Sequence, residues 1–78
     1  MGNKYIFNGK DITLPVVRKI ERIVNILSEQ LHIDFETAYQ KFLSSRTYTN
    51  LANTNNYLWA ESAEYIVDDF FRELNNTH

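Results

Sequence analysis

A chain of 78 residues is long enough for one domain and no more, and at this size folding buries only roughly 60% of the surface that the unfolded chain exposes. With 44% apolar residues, five Phe, five Tyr and one Trp it has the material for a core, while the lack of cysteine excludes disulfide staples, Cys-based zinc sites and iron–sulfur clusters. Net charge is −2: residues 1–46 carry seven Lys/Arg against five Asp/Glu and residues 47–78 one against five, which gives neither half the bulk charge of a nucleic-acid or membrane surface.

The pattern predicts a mainly α domain, small, with three to four helices and an N-terminal β-hairpin. The hairpin spans residues 1–14. Asn8-Gly9 is the pair that a type I′ turn demands, because both central residues need φ > 0. That turn sets Phe7 opposite Lys10, Ile6 opposite Asp11 and Tyr5 opposite Ile12. Tyr5, Phe7, Ile12 and Leu14 then share one face, and Lys4, Asp11 and Thr13 the other, with Ile6 as the apolar exception on the polar side. A lone hairpin is marginal in water, so this one must lean on helices or pair with another strand.

The first helix is expected over 14–32, with Thr13 as N-cap and Pro15 tolerated in the first turn. Val16, Ile20, Ile23, Leu27 and Leu31 recur at helical spacing, with Val17 and Val24 beside them and Arg18, Glu21, Arg22, Asn25 and Glu29 on the opposite side. A second helix is expected over 34–45, capped by Asp34, with Glu36 in its first turn and Phe35, Ala38, Tyr39, Phe42 and Leu43 as its apolar face. A short helical turn follows at 47–53. Asn53-Thr54-Asn55-Asn56 is a turn by composition, after which Tyr57-Leu58-Trp59 is expected to tuck back into the core. The last helix is expected over 62–75, capped by Ser62, with Ala63, Ile66, Val67, Phe70, Phe71 and Leu74 in a stripe about 140° wide.

Reactive groupings are scarce. The histidines are His32, at a helix end, and the terminal His78, so no serine has an ordered base beside it. His32, Asp34 and Glu36 would share one face of an extended stretch, as metal ligands must, but Asp34 and Glu36 are already explained as cap and first-turn acid. Glu61, Glu64 and Asp68 read as a solvated acidic face, since no Glu-x-x-His motif accompanies them. Two glycines, at positions 2 and 9, cannot build a phosphate-cradling loop. The expectation is a non-catalytic chain with no metal and no cofactor. The N-terminal stretch has no apolar core for a signal peptide and no segment approaches the ~20 apolar residues of a membrane helix, so the expected setting is the cytoplasm with no membrane partner.

Two binding modes remain. For a protein partner or self-association, the candidate interface residues are Tyr5 and Ile6 on the hairpin and Tyr65 and Arg72 on the last helix. Tyr65 projects opposite the apolar stripe, and Tyr and Arg are enriched at binding hot spots. The hairpin edge adds a template for another strand. The alternative is a small nucleic-acid-binding regulator, in which residues 35–53 form a helix-turn-helix-like segment and Arg18, Lys19, Arg22 and Arg46 meet phosphates. Against it, the second helix of that segment carries almost no positive charge.

From residue 42 onward the sequence contains Ser45-Arg46-Thr47-Tyr48, then Leu51, then Ser62 with Glu64, Tyr65 and Ile66. This half of the chain resembles a family of short, uncharacterised bacterial helical proteins with a Ser-(Arg/Lys)-Thr-Tyr segment, a Leu three residues later and a Ser-x-Glu-Tyr-Ile helix start. Such proteins are similar to components of toxin–antitoxin and mobile-element loci. The resemblance implies an antitoxin-like role, binding and neutralising a protein partner, and carries no catalytic residues with it.

Overall fold

A computed structural model describes residues 5–76. In chain order these form β1 (Ile6–Phe7), β2 (Lys10–Asp11), α1 (Thr13–Leu31), α2 (Phe35–Leu43), α3 (Arg46–Ala52), two 3₁₀ turns (Thr54–Asn56 and Leu58–Ala60) and α4 (Ala63–Asn76). The described chain is thus a small, mainly α domain with an N-terminal antiparallel hairpin. The first four hairpin positions, Lys4 among them, and the terminal His78 lie outside the described residues.

The hairpin register follows from its turn. Asn8 and Gly9 both take positive φ, at 52° and 79°, and Ile6 pairs with Asp11 and Phe7 with Lys10. The Ile12 amide donates to the Tyr5 carbonyl at 2.7 Å, which extends the pairing by one residue. Thr13 is not the cap expected of it. The hairpin runs directly into α1, so the Thr13 hydroxyl accepts from the Tyr5 amide while Asp11 Oδ1 accepts from the Thr13 amide, both at 2.9 Å. Helix α1 therefore starts at Thr13 with Ile12 before it and no side-chain cap.

Helix α1 buries Val16, Ile20, Ile23, Val24 and Leu27 and ends where His32 turns into the left-handed region at φ 57°. There the His32 and Ile33 amides both donate to the Ser28 carbonyl, and the Ser28 hydroxyl donates to the Ile33 carbonyl, so the last turn is satisfied locally. Asp34 caps α2, accepting from the Thr37 amide. Ser45 marks a start as much as an end: its hydroxyl accepts from the Tyr48 amide to cap α3 and donates to the Phe42 carbonyl. Ser62 caps α4 through the Tyr65 amide.

Phe42 joins three of the helices. It sits on α2, fully buried, with its ring 5.7 Å from Tyr48 of α3 and 6.1 Å from Phe70 of α4. Leu27 and Ile23 of α1 and Leu51 of α3 share that interior. Several expected core residues stay at the margin. Helix α2 is short and sends only Ala38 and Phe42 inward, leaving Phe35 and Tyr39 exposed and stacked on each other at 6.3 Å. Leu14, Val17 and Leu74 are exposed as well. Tyr57 takes φ 60° between the two 3₁₀ turns and stays 60% exposed rather than tucking in, its ring edge-on to Phe7, while Trp59 does turn inward.

Helices α1 and α4 run in the same direction. The Lys19 ammonium donates to the Glu61 carbonyl at 2.6 Å and Arg22 pairs with Glu64 at 2.7 Å. Further along, Leu31 and Leu74 border one groove. Residue numbers therefore rise together on the two helices.

Truncating Phe42 removes the ring contacts of α2 with both α3 and α4 at once. Phe42→Ala is expected to cost about 3–5 kcal/mol, a large share of the stability of a domain this size. Urea denaturation followed by far-UV circular dichroism checks this, and a loss below about 1 kcal/mol would remove Phe42 from its central place.

Candidate interaction site

The four expected interface residues do not gather on one surface. Tyr5 is 7% exposed and belongs to the core, where its hydroxyl shares a 2.8 Å hydrogen bond with Tyr48. Burial, and then that bond, push its ionisation up, so it stays neutral. It is therefore corrected from contact to structural residue. Ile6 is exposed on the hairpin, whose strand is fastened to the Thr54–Asn56 turn by the Thr54 hydroxyl donating to the Ile6 carbonyl at 2.5 Å. Tyr65 is 48% exposed on α4. Arg72 lies two turns beyond it and pairs with Asp69 at 3.1 Å. No described contact joins Ile6 to Tyr65.

The residues of the nucleic-acid alternative are spread as well. Lys19 and Arg22 tie α1 to the start of α4, as above, and Arg18 lies exposed beside them. All three border a depression of about 650 Å³ floored by Pro15 and Trp59. Glu64 faces Arg22 there, and its own amide and that guanidinium hold its carboxyl below the usual range. Arg46 starts α3, on another part of the molecule.

The start of α3 is closed by an acid. Glu73 of α4 accepts from the Arg46 amide at 2.8 Å, the Thr47 amide at 2.9 Å and the Thr47 hydroxyl at 2.8 Å. Burial pushes the Glu73 carboxyl up, but these three donors outweigh it and hold the group below the usual carboxylate range. Thr47 is 4% exposed. A helix whose first amides and first hydroxyl are spent on an internal carboxylate has its leading end turned to its own fold, whereas a groove-reading helix presents that end to bases.

Glu73 also borders an apolar hollow. A groove of about 610 Å³ opens where the C-terminal ends of α1, α2 and α4 converge, floored by Leu31, Ile33, Phe70 and Leu74, with Lys41 on its rim. That volume falls inside the range of about 300–1,000 Å³ typical of ligand pockets. Leu74 is 46% exposed at its mouth. The sequence marked Leu74 as core, and only the convergence of three helix ends turns it into a lip.

Reactive side chains do not converge. Among the described residues no three His, Asp or Glu side chains are placed to hold a metal ion. His32 is the helix-ending residue described above, while Asp34 holds the Thr37 amide, which with that hydrogen-bonded side chain keeps the Asp34 carboxyl low. No helix of the described chain is long and apolar enough to cross a membrane. Comparison with known protein families, with curated proteins and with solved structures finds no match to this chain.

A depressed carboxyl stabilises the fold above its unfolded-state pKa of about 4.3, and the contribution disappears as pH falls through its lower folded value. Glu73→Gln is therefore expected to cost about 1–2 kcal/mol at neutral pH, allowing for partial solvent screening. The gap between the variant and the wild type should close in acid. Thermal melts of both proteins from neutral pH downward test it, and a gap that stays constant across that span would contradict the clamp.

Proposed function

We propose that this chain is a non-catalytic protein–protein interaction module. The observation that carries the reading is the apolar groove of Leu31, Ile33, Phe70 and Leu74. It is built from the ends of three ordered helices, so its shape is set before any partner arrives, and preformed apolar surface lowers the cost of association. Its rim carries one cation, Lys41, and one carboxylate, Glu73, around an apolar floor, which suits a partner segment that is mainly apolar.

The interior polar groups are given over to the fold: among the described residues no buried side-chain nitrogen or oxygen lacks a hydrogen-bond partner. The polar groups that do perturb one another here, Glu73 with Thr47 and Tyr5 with Tyr48, join helices to each other and to the hairpin. The resemblance to small bacterial proteins of toxin–antitoxin loci points toward a protein partner that is bound and held, and the cytoplasm is the setting proposed for it.

Leu74 offers the direct test, because it is exposed and its replacement spares the core. Full-length tagged protein and its Leu74→Asp variant are used as baits in extracts of the source cells. The expected outcome is a defined partner retained by the wild type and lost from the variant, with unfolding free energies that agree to within about 0.5 kcal/mol. Identical recoveries from both baits, or nothing above empty resin, would sink the reading.

A further inference from the structure

The outer faces of α1 and α4 each carry a row of exposed side chains whose charges complement those of the other. Along α1 the exposed residues in one row are Arg18, Arg22, Asn25 and Glu29. Along α4 they are Glu61 just before the helix, then Tyr65, Asp68 and Arg72. Both rows advance by four, three and four positions, the spacing that keeps residues on one side of a helix. The first row reads positive, positive, neutral, negative; the second reads negative, aromatic, negative, positive.

The two rows also stand at the same height. Lys19 meets Glu61 and Arg22 meets Glu64 across the seam, and the helices run parallel. A rotation about a two-fold axis parallel to both helices lays α1 of one copy over α4 of the other without shifting it lengthwise. Arg18 then faces Glu61, Arg22 faces the ring of Tyr65, Asn25 faces Asp68 and Glu29 faces Arg72. The same four meetings occur again with the copies exchanged, which is the self-complementarity a closed two-fold dimer requires. Arg18 and Glu61 have no side-chain partner within the described chain, and the Arg22 guanidinium is free to stack on a tyrosine while keeping Glu64. Glu21, next to Arg18 on α1, and Glu64, paired with Arg22, are the acids of this chain near the basic end of the row.

We infer that the α1–α4 face is a two-fold self-association surface whose occupant is a second copy of this chain. The inference builds on the reading of the chain as an interaction module but uses a different face from the Leu74 groove. Two of the four meetings are exposed ion pairs and the other two are polar or cation–π contacts, so association is expected to be weak and to fall with salt.

Sedimentation velocity of the full chain over a concentration series, at low and at high ionic strength, is the test. The expected result is a monomer–dimer equilibrium at low ionic strength whose dissociation constant rises at high salt. Arg18→Glu and Glu61→Arg should each raise that constant by about tenfold or more. The double variant, which reverses both charges, should recover dimerisation. A wild type that stays monomeric into the millimolar range overturns the inference, as does a double variant no better than either single one. So does a monomer that instead binds a short DNA duplex through Arg18, since the basic row would then belong to phosphates. In each of those outcomes, partner capture that is lost in Leu74→Asp would still leave the proposed function standing.

Discussion

The contact of Phe42 with Phe70 and Tyr48 holds this domain together. With no cysteine and 78 residues, the chain has neither disulfides nor a large core to stabilise it, so its short helices must share their apolar contacts. Helix α2 buries just two side chains, Ala38 and Phe42, and α3 buries Leu51 and Thr47. Neither could stand alone as a helix of nine or seven residues. Each persists because one aromatic ring from α2 reaches both the next helix and the last.

Polar groups then decide how those helices are oriented. Glu73 receives the first amides of α3, and by doing so fixes the C-terminal half of α4 against the start of α3. The Tyr5–Tyr48 bond does the same for the hairpin, linking its first described residue to α3 across 43 positions of sequence. A partly buried hydroxyl pair of this kind costs stability to break, because either partner left alone loses its hydrogen bond where water has limited access. The 3₁₀ turns add a third tie, with the Trp59 indole donating to the Thr54 carbonyl and Thr54 in turn holding Ile6. The hairpin, marginal by itself, is thus fastened to α1 by Thr13, to α3 by Tyr5 and to the turns by Thr54.

What could be read in the sequence was local. Asn8-Gly9 specified a turn and hence a register, and Asp34 and Ser62 announced helix starts because a short oxygen-bearing side chain stands just before each apolar stripe. Alternation along the strand placed Tyr5 on the hairpin's apolar face, but that face was expected to meet a partner, whereas Tyr5 turns into the core. The reason lies at Tyr48, its hydrogen-bond partner, a domain's length away in sequence. Glu73 was invisible for the same reason: nothing near it shows that a carboxylate in the last helix serves amides in the third. Thr13 and Ser45 show a different failure. Both were read as standing at helix ends, but Thr13 gives its oxygen to the hairpin, and Ser45 serves two helices at once. Phe35, Tyr39 and Leu74 fell on apolar stripes yet stay exposed, and stripe width says nothing about which positions a neighbour covers.

The relation between α1 and α4 comes from this same long-range level. Each row of outward side chains is legible by itself, as a mixed charged face of an amphipathic helix, and by itself each is a solvated surface. Meaning arises only when direction and height are known. Had α4 run antiparallel to α1, a two-fold rotation about their common direction would set Arg18 near the Arg72 end and Glu29 near Glu61, like charge against like at both ends. The parallel course, imposed by the return of the chain through α2, α3 and the 3₁₀ turns, sets opposite charges level instead. The Lys19 and Arg22 contacts that fasten α1 to α4 inside one molecule are therefore also what brings the outer rows into step, so that stability of the fold and complementarity of the surface depend on one alignment.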